Sequence, residues 1–338
     1  MPSAIPVNAS AGSVNIPIID ISGFLNPTDA AEREAIVEAV RSACTNEGFL
    51  QVTGHGVPDA VIDRYFMQLA KFFELPYEEK DAISFAKSGC NRGYEKSGGQ
   101  KLDQLDPNAQ PDQKEGFTVR VDRAPVKFNQ GYNLWPAGMP EFRTATEEYY
   151  QEMLKLSKSM FRLLALALDL DENYFDEYAS DPDGINKLRG HHYPPTVGNQ
   201  SGTARAIGAH TDFGALTLLK QDNVGGLEVL YKPTNTWHPV APVEGAYVVN
   251  IGDLFQRWTN DVFKSTMHRV LSTPSGKHRY SAAFFNDGKL DQVIECIPTC
   301  VLPGESPKYT PVTVEEHIRM RYAGSYAAND LNLSYGTK

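Results

Sequence analysis

The sequence predicts an α+β fold in which helices pack on the outside of a β double sheet. Three observations predict it. Apolar residues recur at helical spacing in three segments before Leu170. From Leu188 to about Leu302, short β-rich runs alternate with Gly, Pro and Asn-Asp turns, the pattern of a sandwich or barrel. A last helical signal starts at Thr313, with Glu316 as its capping-box partner.

Taken in order, residues 1–15 (MPSAIPVNASAGSVN) read as a disordered leader, and residues 16–338 as a single domain. Within it, 16–187 is the mainly helical part, 188–302 the β-rich core, and 303–338 a C-terminal helical segment. IPIIDISGF (Ile16 to Phe24) reads as a short strand with a turn. Asp29 stands three residues before Glu32, a capping-box pattern, and the helix behind it places Ile36, Val40 and Cys44 on one face. GFLQVTGHGVP reads as a strand closed by glycines and a proline, with His55 as a turn or core residue. An amphipathic helix follows from about Asp59 to Phe73. Ser88 to Asn133 is loop-rich, with extended pieces such as GFTVRV. The longest helical pattern runs from about Glu141 to Leu168, with Met153, Leu156, Met160, Leu163 and Leu164 on its apolar face. Tyr149 and Tyr150 are expected to pack this helix. The glycines of NVGGLEV predict a hairpin turn, and Lys220 a solvated side chain.

Composition narrows the function. The 338 residues carry 32 Lys plus Arg against 42 Asp plus Glu, a formal net charge of -10. That argues against nucleic acid or an anionic membrane as partner. No apolar run approaches the roughly 20 residues of a membrane span. A small molecule is the expected partner, and oligomeric state leaves no signal. Cys44, Cys90, Cys296 and Cys300 are too few and too scattered for a disulfide framework, so reduced thiols and a cytoplasmic location are expected.

The chemistry centres on AIGAHTDFGALTLL. In a strand, residues two apart share a face, so His210 and Asp212 point the same way among apolar neighbours. Both are costly to bury unless they bond to each other and to backbone, or hold a cation. Alone, the pair reads more readily as a structural couple. With His268 of STMHRVLS it becomes two imidazoles and a carboxylate, a facial set that suits non-haem Fe(II) and leaves positions open. A zinc hydrolase site of the same composition is also possible. Downstream, HRYSAAFF puts Arg279, Ser281, Ala283 and Phe285 on one strand face. A buried Arg beside a hydroxyl needs an anion, either an internal carboxylate or a ligand held in a bidentate fork.

H-x-D, a distant His and then R-x-S resemble the Fe(II)- and 2-oxoglutarate-dependent dioxygenases. More narrowly, the chain resembles the isopenicillin N synthase-like family, which includes many plant and fungal enzymes of specialised metabolism. IPIIDISGF, GFLQVTGHGVP, NRGY, KEGF, NLWP, HHYPP, LLKQDNVGGLEV and VVNIGD carry the likeness along nearly the whole chain. The resemblance implies a distorted double-stranded β-helix (jelly-roll) flanked by helices, with the site inside the barrel. It assigns Fe(II) to His210, Asp212 and His268. It assigns the far carboxylate of 2-oxoglutarate to Arg279 and Ser281, with Tyr193 also touching that co-substrate. O2 is the oxidant, 2-oxoglutarate leaves as succinate, and a substrate C-H bond is hydroxylated, or else desaturated or closed into a ring. Where plant members have Asn-Tyr-Tyr, this chain has His191, His192 and Tyr193, which leaves the role of His191 open.

Two alternatives belong to the same scaffold. Isopenicillin N synthase uses no 2-oxoglutarate, and its R-x-G-Y motif grips a substrate carboxylate where this chain has Asn91, with Arg92 one place later. Plant hormone receptors are non-catalytic relatives that can lose the metal set retained here. Phe285 is expected to wall the substrate by strand parity. Either Asn91 or Arg92 is expected to reach it, since adjacent extended residues face opposite ways; the alternative is that both brace the loop.

Overall fold

In the computed structural model residues 16–195, 205–272 and 276–325 are described; the expected leader over 1–15 lies outside them. The N-terminal part supplies β1 (Ile18–Asp20), α1 (Ser22–Leu25), α2 (Ala30–Asn46), β2 (Phe49–Thr53), α3 (Asp59–Phe73), α4 (Tyr77–Ala82) and α5 (Phe85–Ser88). It continues with β3 (Gly93–Glu95), β4 (Glu115–Arg120), α6 (Pro140–Leu166) and α7 (Asp176–Ser180). The core adds β5 (Lys187–Tyr193), β6 (Arg205–His210), β7 (Leu216–Gln221), β8 (Leu227–Tyr231), β9 (Thr236–Pro239) and β10 (Tyr247–Ile251). Then come α8 (Asp253–Trp258), β11 (His268–Leu271), β12 (Arg279–Asn286), β13 (Val293–Ile294), β14 (Val312–Thr313) and α9 (Val314–Ala323).

Eight strands form one sheet in the order β1-β2-β10-β7-β12-β5-β4-β3, and β6-β11-β8-β9 form a second. Four strands of the large sheet come from the part expected to be mainly helical. Parity then gives that sheet two different faces. On β12, Ala282 and Phe284 join the core under the helices, while Arg279, Ser281, Ala283 and Phe285 line a cavity between the sheets. On β10, Tyr247, Val249 and Ile251 face the helices, whereas Asn250 faces the cavity.

The helices cover the outer face. Tyr65 of α3 stacks on Tyr149 of α6 with centroids 4.4 Å apart, and Phe72 on Phe142 at 4.9 Å. Each such aromatic pair is worth about 0.5–1.5 kcal/mol beyond its burial. Gly190 of β5 shows how closely α3 lies: a Cβ there would come within 2.5 Å of Leu69 Cδ1 and 2.8 Å of Tyr65 Oη. At the end of the chain, Thr313 and Glu316 form both bonds of the capping box, starting α9. At α2 the cap is the bond from Ala31 N to the Asp29 carboxylate, 2.8 Å.

One local expectation is corrected. Gly225 and Gly226 do not close a hairpin, because β7 and β8 lie in different sheets. Their φ angles of 83° and 96° instead turn the chain from one sheet to the other, a conformation that favours glycine.

Candidate active site

The end of β6 and the start of β11 are antiparallel partners, with His210 directly opposite His268. The loop after β6 folds Asp212 back between them. Asp212 Oδ1 lies 3.8 Å from His210 Nε2 and 3.7 Å from His268 Nε2. Each ring has its other nitrogen committed: His210 Nδ1 to Gly208 O at 2.8 Å, His268 Nδ1 to Thr266 O at 3.1 Å. A carbonyl can only accept, so Nδ1 carries the proton and Nε2 is left as a lone-pair donor. Thr217 Oγ1 and Asn250 Nδ2 both donate to Asp212 Oδ2, each at 2.6 Å, which leaves Oδ1 turned to the imidazoles. Burial brings His210 down to about 3, with the His268 ring adding to it, so the imidazole is neutral. Burial alone would raise the Asp212 carboxyl; His268, His210 and the Asn250 and Thr217 bonds turn this into a net lowering. The three ligand atoms lie within 4.8 Å of one another, a preset N,N,O face that fits Fe(II).

Beyond this face the cavity has two ends. At one, Arg279 is completely buried on β12, with its guanidinium 4.5 Å from the centroid of the Tyr193 ring. Among the described residues its polar partners are Ser281 Oγ at 3.5 Å and Gln221 Oε1 at 3.3 Å, and its Nε has none. The expected alternative of an internal ion pair for Arg279 is therefore absent among the described residues.

At the other end the lining includes Gln100, Lys114, Lys187, Arg189, Phe213 and Tyr322. Lys114 Nζ pairs with Glu95 Oε2 at 2.7 Å, and Arg189 pairs with the same oxygen. Lys187 Nζ lies 3.0 Å from Asp287 Oδ2. His191, His210, Asp212, Ile207 and Phe285 line both ends, so His210, Asp212 and Phe285 stand at the junction, while His268 lines the Arg279 end.

The sequence expectations meet this geometry unevenly. His210, Asp212, His268, Arg279, Ser281, Tyr193 and Phe285 are all brought to one cavity. Asn91 and Arg92 are not. Asn91 Nδ2 donates to Asn129 Oδ1 at 2.7 Å, and Arg92 donates to Asn129 O and Asn133 Oδ1, both at 3.1 Å. The premise of alternating faces fails because Asn91 has φ 58° and is not extended. Both residues brace the loop at 129–133. His55 is a turn residue, accepting from Val57 N and bonded to Gly245 O, and Lys220 Nζ donates to Ala246 O. Tyr149 and Tyr150 pack α6, as expected. Sequence reasoning missed Asn250 and Thr217, the donors to Asp212. A lone amide within the apolar strand YVVNI is the signal that marks Asn250.

Known proteins share both halves of this arrangement. Residues 16–138 match the family model described as the N-terminal region of non-haem dioxygenases in morphine synthesis. Residues 184–288 match the model of the 2OG-Fe(II) oxygenase superfamily. The 2-oxoglutarate-Fe(II) type oxidoreductase hxnY of Emericella nidulans is 42% identical over 321 residues, spanning 92% of this chain and 90% of its own. Clavatol oxidase claD of Penicillium crustosum is 36% identical over 93% of this chain and 98% of its own. The solved structure of a full-length Neurospora crassa protein in complex with alpha-KG and thymine aligns with TM-score 0.82 at 31% identity, over 94% of this chain and 99% of that one.

Proposed function

The chain belongs to the 2OG-Fe(II) oxygenase superfamily, and from that premise we propose that it oxidises a C-H bond of a small metabolite in the barrel cavity. It is an oxidoreductase whose cofactors are Fe(II) and 2-oxoglutarate. Together these supply the power to cleave the C-H bond with O2, while 2-oxoglutarate is converted to succinate and carbon dioxide.

In this reading His210 Nε2, Asp212 Oδ1 and His268 Nε2 hold the iron. Thr217 and Asn250 hold Asp212 in the orientation that presents Oδ1 to it. Arg279 and Ser281 take the far carboxylate of 2-oxoglutarate, and the Tyr193 ring fixes the guanidinium plane. One observation carries the proposal: a fully buried guanidinium, without a carboxylate partner among the described residues, faces the same cavity as an N,N,O metal set. A dianion that reaches from metal to arginine satisfies both.

The substrate then occupies the Lys114 end, with Phe285 as a wall at the junction. Hydroxylation is the expected outcome, with desaturation or ring closure as alternatives. A cytoplasmic setting is part of the same reading, supported by four buried free thiols. No helix among the described residues is long and apolar enough to cross a membrane. The test is a screen of candidate metabolites with iron-loaded protein and 2-oxoglutarate, reading succinate release and product mass. Metabolite-dependent succinate with gain of one oxygen, or loss of two hydrogens, is expected. Turnover that needs no 2-oxo acid would overturn the reading.

A further inference from the structure

The Lys114 end also bears on the class of substrate, on the premise that this cavity is the oxygenase site proposed above. Three cations line it, Lys114, Lys187 and Arg189, while their carboxylate partners stand behind the wall. Glu95 lines a separate outer pocket instead. Apart from the metal ligand Asp212, the charged groups lining this end are therefore cationic.

The three cations are not equally committed. Lys187 is held by Asp287, by Tyr322 Oη at 3.4 Å and by the Phe285 ring, whose centroid lies 4.4 Å from Nζ. Lys114 has two partners, Glu95 Oε2 at 2.7 Å and Gln100 Oε1 at 3.3 Å, for an ammonium with three N-H groups. Gln100 Oε1 also accepts from Arg189 at 3.1 Å, so the donor end of that amide, Nε2, is left over. His191, 6% exposed, has an Nδ1 with no partner among the described residues. Burial, with Arg189, Lys114 and Arg279 nearby, keeps its ring neutral. Asp112 is the other acid whose charge reaches Lys114, but burial raises its carboxyl, and its Oδ1 accepts from Gly208 N at 3.0 Å. Opposite these donors the walls are apolar, from Phe213, Phe285, Leu102 and Ile207.

We propose that the substrate is a small, flat carboxylic acid whose carboxylate docks on Lys114 and Gln100 while its ring lies along Phe213 and Phe285 toward the metal. A carboxylate is acceptor-only and meets spare donors, whereas a neutral amide would bring donors of its own. Burial draws Lys114 down to about 8, so the ammonium still predominates at neutral pH, and a bound anion would favour it further.

The test uses the full chain saturated with 2-oxoglutarate and Mn(II), which suits the same ligand set. Calorimetry compares matched pairs: benzoate with benzamide, cinnamate with cinnamamide, and indole-3-carboxylate with its amide. At least one acid should bind roughly tenfold or more tightly than its amide, the scale of a hydrogen bond to a charged group. Lys114→Met and Lys114→Gln should each erase that preference. Where those variants do not fold by circular dichroism, Gln100→Leu replaces them and should reduce it. No acid outbinding its amide, or a preference that survives the folded variants, would overturn the proposal. If 2-oxoglutarate itself does not bind, the underlying reading of the cavity fails instead, and calorimetry of that ligand alone tells the two apart.

Discussion

At one end of the cavity Arg279 is buried with no carboxylate partner among the described residues; at the other, Lys114, Lys187 and Arg189 each have one behind the wall. The first arrangement is stable only when a ligand brings the missing charge, because an isolated buried cation is costly. It suits a co-substrate that every turnover requires. The second keeps its cations satisfied in the absence of ligand and offers only the donors left over. It suits a partner that differs from one relative to the next. Between the two ends the metal face is held by backbone carbonyls and by Asn250 and Thr217, and depends on neither.

The largest effect should come at that shared face. His210→Ala or Asp212→Ala removes one of three ligands, and turnover should fall to background whichever end is probed. Iron content and succinate release measure it, with circular dichroism as the check on fold. Activity near that of the unmodified protein in either variant would remove the metal assignment.

A smaller, one-sided effect is expected from Arg279→Lys. Lysine keeps the charge and loses the planar fork, so the apparent KM for 2-oxoglutarate should rise roughly 10–100-fold, corresponding to about 1.5–3 kcal/mol for a charge-assisted bond. Substrate KM should move little. Equal rises in both constants would erase the distinction between the ends.

What was legible in the sequence follows the same division. Arg279 and Ser281 are readable because both lie on β12, where local spacing fixes a shared face. His210 and Asp212 are readable as a close pair, although Asp212 lies in the loop after β6 and is brought to His210 by that loop and not by strand alternation. The Lys114 end draws Gln100 and Lys114 from a loop, Lys187 and Arg189 from β5, and Tyr322 from α9. Each alone reads as an ordinary solvated or core residue, and only the fold brings them together. One part was within reach: Lys187, Arg189, His191 and Tyr193 alternate on β5 and share an inward face. Extending the parity argument back from Tyr193 would have found them. For Asn91 the same argument misled, because a left-handed residue breaks the alternation on which it depends. The large sheet was under-read for a related reason. β3 is three residues long, too short for period-two alternation to stand out among loops, and β4 shows only as the extended piece GFTVRV, with nothing local to mark its place in the sheet.

Phe285→Ala acts at the junction and should separate the ends further. Its ring lines both halves and lies over the Lys187 ammonium. Removing it loosens the substrate without touching Arg279 or the metal ligands. Product formed per succinate should fall several-fold, as misplacement of a reacting group by about 1 Å can do, while the KM for 2-oxoglutarate stays put. Unchanged coupling would place Phe285 outside the substrate's reach.

The smallest effect is expected from Thr313→Ala, at the start of α9 and far from either ligand. Thr313 Oγ1 accepts from Glu316 N at 3.2 Å, and the Glu316 carboxylate accepts from Thr313 N at 2.9 Å. Losing the hydroxyl costs about 1 kcal/mol of helix stability, typical of a cap, and should lower Tm by a few degrees at most. The consequence for the cavity is directional. α9 carries Tyr322 to the Lys114 end, where it bonds Lys187, and Arg321 to Thr211 Oγ1 at 3.1 Å and Asp253 at 3.2 Å. None of its residues lines the Arg279 end. A helix that frays from its first turn should therefore weaken substrate binding slightly, within about twofold for a fraction of that 1 kcal/mol. Affinity for 2-oxoglutarate should be unmoved. If 2-oxoglutarate binding weakens as much as substrate binding, the two ends are coupled through the barrel, and the independence drawn from their charge arrangements is wrong.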